Sequence, residues 1–325
     1  MTSAPILVTG VAGFIGAAVA EALVARGEAV VGVDDFNDYY TPQLKRDRAA
    51  RLTGNFTLIE CDFSDFAALT AALEPYAVDR IVHLGAQAGV GHSLIDPHSY
   101  VRSNLAGHLN LLEVARARRV SHFVYASSSS VYGANAKLPF AVADRADHPV
   151  SLYAATKRAD ELMTESYAHL FRLSATGLRF FTVYGPWGRP DMAIWRFTKC
   201  ILKDEPIQLY NGGQMRRDFT YIDDIVAGVV AALDRPPLDD GVGAPHRVYN
   251  LGNSQSVELG RLIDAIEAAT GRVAIREFLP MQAGDVVETY ADIAASTASL
   301  GFVPRVSIDA GIPRFVGWFR RYSGL

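Results

Sequence analysis

Short apolar runs alternate with longer amphipathic stretches from the start of the chain. Ile6-Leu-Val8, Ala29-Val-Val-Gly-Val33, Phe56-Thr-Leu-Ile59 and Arg80-Ile-Val-His-Leu84 have the length and β-branched content of buried strands. Between the first two, the stretch from Ile15 to Arg26 has the spacing of a helix. The alternation predicts βαβ units and hence a parallel sheet. It continues through an amphipathic helix over roughly Tyr100 to Arg118, a strand His122-Phe-Val-Tyr-Ala126, a helix carrying Tyr153 and a strand from Ser174 to Phe181. The pattern predicts an α/β fold, a doubly wound parallel sheet of about seven strands.

After Gly185 the texture changes. Pro186-Trp-Gly-Arg-Pro190, a helix near Trp195 to Lys203 and the glycine-rich Asn211-Gly-Gly213 suggest departure into a second, smaller α/β lobe. Ile222, Ile225, Val229 and Leu233 predict a helix that returns to the sheet and ends at Arg235-Pro-Pro237. A helix from Val257 to Thr270, a strand near Val273 to Phe278 and a C-terminal helix with Phe315, Trp318 and Phe319 complete the smaller lobe. The expected division is 1–182 with 218–248, and 183–217 with 249–325.

Composition narrows the function classes. Of 325 residues, 31 are Lys or Arg and 35 Asp or Glu, a formal charge of −4. Such a balance lacks the basic excess of a nucleic-acid binder. Cys61 and Cys200 are far apart and without metal-ligand spacing, so neither a disulfide framework nor a metal site is expected. The longest apolar region, Ile15 to Val33, is broken by Glu21, Arg26 and Glu28 and falls short of the ~20 apolar residues that span a bilayer. The expectation is a cytoplasmic protein without a membrane segment.

Chemistry concentrates in two places. Thr9-Gly10-Val-Ala-Gly13-Phe14-Ile15-Gly16 leaves a strand and opens a helix, where glycines let a pyrophosphate approach backbone amides. Asp34 ends the second strand at the interval at which an acid receives the hydroxyls of an adenosine ribose. An acid there repels a 2′-phosphate, so NAD is expected rather than NADP. Asp62, after the third strand, reads equally as an adenine contact or a turn former.

The second place is the run Ser127 to Ser130, followed by Val131-Tyr132-Gly133 and the pair Tyr153 and Lys157. Tyr153 and Lys157 are four apart and share one helix face, so the ammonium favours ionisation of a phenol that ordinarily titrates near ~10. Tyr153 thereby becomes a base for a sugar hydroxyl, and a serine hydroxyl can complete the proton path. Taken alone, the serines also read as a polar turn after a buried strand. His83 and His92 have no ligand-like neighbours in sequence and read as structural or loop residues.

Together these motifs resemble the extended short-chain dehydrogenase/reductase family of nucleotide-sugar enzymes, across nearly the whole chain. Asn37-Asp-Tyr-Tyr40, Ser151-Leu-Tyr-Ala-Ala-Thr-Lys157, Phe180 through Met192, Arg217-Asp-Phe-Thr-Tyr-Ile-Asp223 and Gln282-Ala-Gly-Asp-Val286 resemble the UDP-glucuronate 4-epimerases in particular. The resemblance implies a Rossmann domain for the first unit and a nucleotide-sugar domain for the second. It implies Ser128 as proton relay, Tyr153 as base and Lys157 as the residue that binds the nicotinamide ribose. Ser129, Ser130 and Thr182 would face the hexuronate carboxylate. Arg217 would hold the diphosphate, Gln208 and Tyr210 the uracil, Asp285 the nucleotide, and Arg189 would border the sugar. Phe63, Leu84, Ala86, Gln87 and Asn104 join the implied cofactor set. The implied activity interconverts UDP-glucuronic and UDP-galacturonic acid by oxidation at carbon 4, rotation of the 4-keto sugar and reduction on its other face. The helices over Tyr100 to Arg118 and Leu152 to Leu170 resemble those that form a homodimer interface in this family.

One loop departs from the family pattern. Gln87-Ala-Gly-Val-Gly91-His92-Ser93 stands where most of these epimerases carry Arg-Tyr at the positions of Gly91 and His92, so a positive charge is missing. Gly85 replaces a usual alanine. Related dehydratases and decarboxylases carry an acid immediately before Val/Leu-Tyr-Gly, where this chain has Ser130. UDP-glucose 4-epimerase or another UDP-sugar epimerase remains the alternative. From a different class, a non-catalytic NAD-sensing protein would need the glycine turn but not the relay.

Overall fold

The computed structural model of the chain describes residues 4–281 and 284–325. A seven-stranded, all-parallel sheet forms its centre. From edge to edge the strands are His246–Leu251, Ala175–Phe180, His122–Ser128, Arg80–His83, Ile6–Thr9, Val30–Asp34 and Phe56–Glu60. Helices cover both faces, which explains why the strands read as apolar runs rather than alternating ones. Ile6, Leu7, Val8, Ile81, Val82, Phe123 and Val124 are fully buried.

The sheet order reverses direction between Ile6–Thr9 and Arg80–His83, the switch point at which such folds form their crevice. Register brings the chemistry-bearing strand ends level there. Thr9 lies beside His83 and Val33, and Ser128 beside Phe180. His83 is the structural residue expected: its Nδ1 lies 2.6 Å from Thr9 Oγ1. Burial holds its imidazole down, to about 3, so it is neutral.

The smaller group of elements surrounds three short sheets. Thr182–Tyr184 pairs with Phe219–Tyr221, Arg216–Arg217 with Val257–Glu258, and Ile207–Tyr210 with Arg276–Leu279. The returning helix is Ile222–Leu233, with Ile222, Ile225, Val229 and Leu233 all buried. The C-terminal helix Ile308–Ser323 buries Phe315, Trp318 and Phe319 in the same core and packs on the helix Leu259–Thr270. The strand His246–Leu251 carries the main sheet past residue 248.

One element differs from its expected form. In place of a single α-helix over Tyr100 to Arg118, Pro97–Tyr100 and Gly107–Arg118 are joined by a π-helical turn, Val101–Ala106. The wider turn has a local purpose. It carries Asn104, whose Oδ1 accepts the Gln87 amide at 2.8 Å and whose Nδ2 donates to Gln87 O at 3.1 Å. Among the described residues no helix is long and apolar enough to cross a membrane.

Candidate active site

A groove opens at the carboxyl ends of the strands. It comprises two hollows of about 390 and 560 Å³ that share Thr182, Arg189, Arg217 and Asp285 in their walls. The first runs from the glycine turn to the serines and Tyr153, and the second continues past Arg189 to Gln208 and Tyr210.

At the first end, Gly10 has φ +67°, and a side-chain carbon on it would lie 2.6 Å from Gly85 Cα. A side chain on Gly16 would overlap the Gly10 carbonyl. Only glycine permits this packing of turn against strand end. Gly13 begins the helix Phe14–Ala25 without a side-chain cap, so the first-turn amides remain available to an anion beside the groove. Asp34 fastens the turn: Oδ2 accepts the Ala12 amide and Oδ1 the Phe36 amide, each at 2.9 Å. Burial pushes this carboxyl above its usual range, against the opposing pull of those amides and the Lys45 ammonium. Each oxygen retains acceptor capacity for a ribose hydroxyl. This uncapped helix end and ribose-height acid fit a dinucleotide.

Gly10, Gly13, Phe14, Ile15, Gly16 and Asp34 line that hollow, as do Phe63, Leu84, Ala86 and Gln87. Asp62 and Asn104 do not. Asp62 Oδ1 accepts the Ser64 amide at 2.8 Å, which is the turn-forming role. Asn104 spends its amide group on Gln87 and on Thr156 Oγ1, so it fixes a wall residue from behind instead of facing the groove.

Ser151 caps the helix Leu152–Phe171 by accepting the Ala154 amide at 3.1 Å, and this places Tyr153 in the first turn at the groove. Lys157, one turn on and almost fully buried, donates to Ala126 O and Asp160 Oδ2, each at 3.0 Å. An ammonium has three donors, so these contacts aim the third. The four serines separate in role. Ser127 Oγ points into the core and donates to Glu161 Oε1 at 2.6 Å. Ser128 Oγ instead receives the Ser130 hydroxyl at 2.9 Å and the Ser130 amide at 3.2 Å. Ser128, Ser129, Ser130, Tyr153, Lys157 and Thr182 all line the same hollow.

Arg217 and Asp285 form an ion pair at 2.6 Å, with Arg217 also donating to Val287 O. Gln208 and Tyr210, two apart on one strand, present the same face to the second hollow. Gln282 and Ala283 of the Gln282–Val286 motif lie outside the described residues.

Sequence reasoning missed several groups around Arg189. Its guanidinium pairs with Asp191, and although burial pushes it down, that charge and its hydrogen bonds raise it on balance. Tyr39 OH donates to Asp191 Oδ2 at 3.0 Å. Burial, then the Asp191 charge, push the Tyr39 phenol up to about 12, so it stays a donor. Its ring packs 4.6 Å from that of His92, which lines the second hollow where the family pattern has a different residue. Arg48, fully buried, donates to Ala12 O, Tyr40 OH, Trp187 O and Gly188 O, thus tying the glycine turn to the loop carrying Arg189. Tyr39 and Asp191 lie within the stretches Asn37–Tyr40 and Phe180–Met192, but nothing in the spacing marks Arg48.

The groove thus combines a dinucleotide cradle with a phenol, a lysine and a hydroxyl relay. Among the described lining residues of the first hollow, the carboxylates are Asp34 and Asp35 by the glycine turn and Asp285, which is paired with Arg217. None belongs to the serine run. The family model described as the NAD dependent epimerase/dehydratase family matches residues 6–252. The chain belongs to that family. It is 47% identical to a probable UDP-glucuronate 4-epimerase of Rhizobium meliloti, over 96% of each chain. Among solved structures it resembles the UDP-glucuronic acid 4-epimerase of Bacillus cereus in complex with UDP-glucuronic acid and NAD. That match has a TM-score of 0.87 and 33% identity, over 98% of this chain and 99% of the other. The UDP-glucose 4-epimerase of Thermotoga maritima with UDP-glucose matches at TM-score 0.88 and 28% identity, over 98% and 99%. Backbone likeness does not separate the two sugars.

Proposed function

We propose that this family member is a UDP-glucuronate 4-epimerase that interconverts UDP-glucuronic and UDP-galacturonic acid. The observation that carries the reading is the acid-free hydroxyl set Ser128, Ser129, Ser130 and Thr182 beside Tyr153 and Lys157. Relatives named for this activity at 47% identity support it.

In this reading, residues 1–182 and 218–248 hold NAD, and 183–217 with 249–325 hold the nucleotide sugar. Gly10, Gly13 and Gly16 give the pyrophosphate access to the amides of Phe14 and Ile15, and Asp34 receives the adenosine ribose. Bound NAD supplies a hydride acceptor, and afterwards a donor, for carbon 4. Tyr153 takes the proton of the 4-hydroxyl, with Ser128 relaying it, and returns it after the keto sugar rotates. Lys157 holds the nicotinamide ribose and favours the ionised phenol. The 4-keto uronate is a β-keto acid, prone to lose carbon dioxide. Ser129, Ser130 and Thr182 hold its carboxylate with neutral donors, which neither protonate carbon nor remove a proton from it.

Rotation requires a firm grip on the nucleotide and a loose one on the sugar. Arg217, oriented by its ion pair with Asp285, holds the diphosphate, Asp285 contacts the nucleotide, Gln208 and Tyr210 hold the uracil, and Arg189 borders the sugar. Arg217→Ala is expected to raise KM by at least about tenfold, the cost of a charge-assisted contact, with a smaller change in kcat. A variant with unchanged KM would take Arg217 out of the diphosphate site. Exposed Leu109, Leu162, Leu170 and Phe171 on the helices Gly107–Arg118 and Leu152–Phe171 support a homodimer. Two free cysteines are compatible with a cytoplasmic location.

The deciding experiment incubates the purified protein with UDP-glucuronic acid, without added NAD, and follows it by proton NMR. UDP-galacturonic acid is the expected product. Formation of a UDP-pentose would refute the assignment of the serines. Turnover of UDP-glucose with none of UDP-glucuronic acid would favour the neutral-sugar epimerase.

A further inference from the structure

Behind Lys157 lies a carboxylate that the reaction scheme does not use. Asp160 has no solvent exposure, and its Oδ2 accepts from Lys157 Nζ at 3.0 Å. Its other oxygen, Oδ1, has no hydrogen-bond partner among the described residues. The neighbouring Glu161 differs in this respect, because Arg179, Arg158 and Ser127 satisfy it. A buried ion pair with one oxygen unsatisfied is costly, and removing only one member costs more than the pair contributes.

The surroundings of Asp160 are polar yet almost free of charge. From the helix Gly107–Arg118, His108 Nε2 contacts Thr164 Oγ1 at 2.9 Å, and Thr164 donates to Asp160 O at 2.8 Å. His108 Nδ1 is itself without a partner among the described residues. His83 and Tyr125 approach from the strands, with Tyr125 OH in contact with His246 at 2.9 Å. Burial keeps His83 and His108 neutral and keeps Tyr125 protonated. Glu161 is charged but matched by Arg179. Lys157 is therefore the cation that faces Asp160.

We propose that Asp160 is a positioning residue for Lys157, holding one of its protons and setting how much of its charge reaches Tyr153. When Asp160 is ionised, it partly cancels the lysine. When it is protonated, the lysine charge acts on Tyr153 undiminished. Burial, against the pull of Lys157, pushes the Asp160 carboxyl up to about 7, so the exchange between these two states falls in the working range. Protonation of Asp160 leaves the whole lysine charge facing the substrate end of the helix, which extends activity on the acid side. The inference rests on the epimerase reading for its kinetic part only.

Two measurements test it. With aspartate carboxyls labelled by carbon-13, one resonance absent from Asp160→Asn is expected to titrate near neutrality and to move to higher pH in Lys157→Met. An Asp160 resonance that titrates in the ordinary carboxylate range, or ignores the loss of Lys157, overturns the proposal whatever the activity. In the second, the acid limb of the kcat profile is expected to be drawn out in the wild type. In Asp160→Asn it becomes a simple single-proton limb, displaced to lower pH by at least about half a unit. Superimposable profiles overturn the proposal. Absence of turnover in the wild type would instead refute the epimerase reading and leave the carboxyl titration to judge this one. A purely structural role would lower stability without changing the shape of the profile.

Discussion

Tyr153→Phe is expected to retain NAD and to lose at least about 10³-fold in kcat, within the range that a positioned general base contributes. The reasoning is local. Phenylalanine preserves the ring that packs edge-on to Tyr100, with centroids 6.1 Å apart, and leaves Lys157 held by Ala126 O and Asp160. The glycine turn and Asp34, which carry the dinucleotide, are untouched. Only the group that accepts the 4-hydroxyl proton is lost, so substrate affinity measured by calorimetry should change little while turnover collapses. Full activity in this variant would overturn the mechanism and leave Ser128 as the base to be examined.

The second large effect concerns stability. Arg179 donates to both oxygens of Glu161 at 2.8 Å, and Glu161 in turn receives Ser127 at the start of the serine run. Arg179→Met removes two hydrogen bonds from a carboxylate that is only 2% exposed and leaves it Arg158 and Ser127, so the loss falls below the roughly 3 to 5 kcal/mol of stranding a buried charge outright. Although burial pushes the Glu161 carboxyl up, hydrogen bonds from Arg179 and its charge hold it below the usual value. A carboxyl depressed in the folded state contributes stability above its unfolded value and loses that contribution as pH falls through the folded one. In the variant Glu161, left with Arg158, takes up a proton more readily than in the wild type, so the gap between the two proteins should narrow as the solution becomes acidic. Urea unfolding at pH 7 and pH 4 measures this. A gap that stays constant or widens toward acid pH would show that the pair does not carry the stability.

The motif residues were legible because their chemistry depends on spacing along one element. Tyr153 and Lys157 share a helix face by being four apart, and Gly10, Gly13 and Gly16 act within one turn. The helices Ile222–Leu233 and Leu259–Thr270 were legible from apolar periodicity. The π-helical turn Val101–Ala106 was not, and the partner its Asn104 meets, Gln87, lies outside the helix. The groups around Arg189 were hidden too, because Tyr39 meets Asp191, and Arg48 meets Gly188, across large sequence separations.

By itself the sequence determined an α/β chain of the NAD-dependent epimerase class, with Tyr153, Lys157 and a serine run free of acid. The tertiary structure decided how those parts are wired. All four serines border the groove, but it turned the Ser127 hydroxyl to Glu161 and the Ser130 hydroxyl to Ser128, a distinction invisible within four identical residues. It also set Asp160, an ordinary helix residue by pattern, against the lysine in a site without water exposure. The physical reason is that periodicity fixes which face a residue occupies, whereas the dielectric and the partners it meets there depend on how other elements pack over that face.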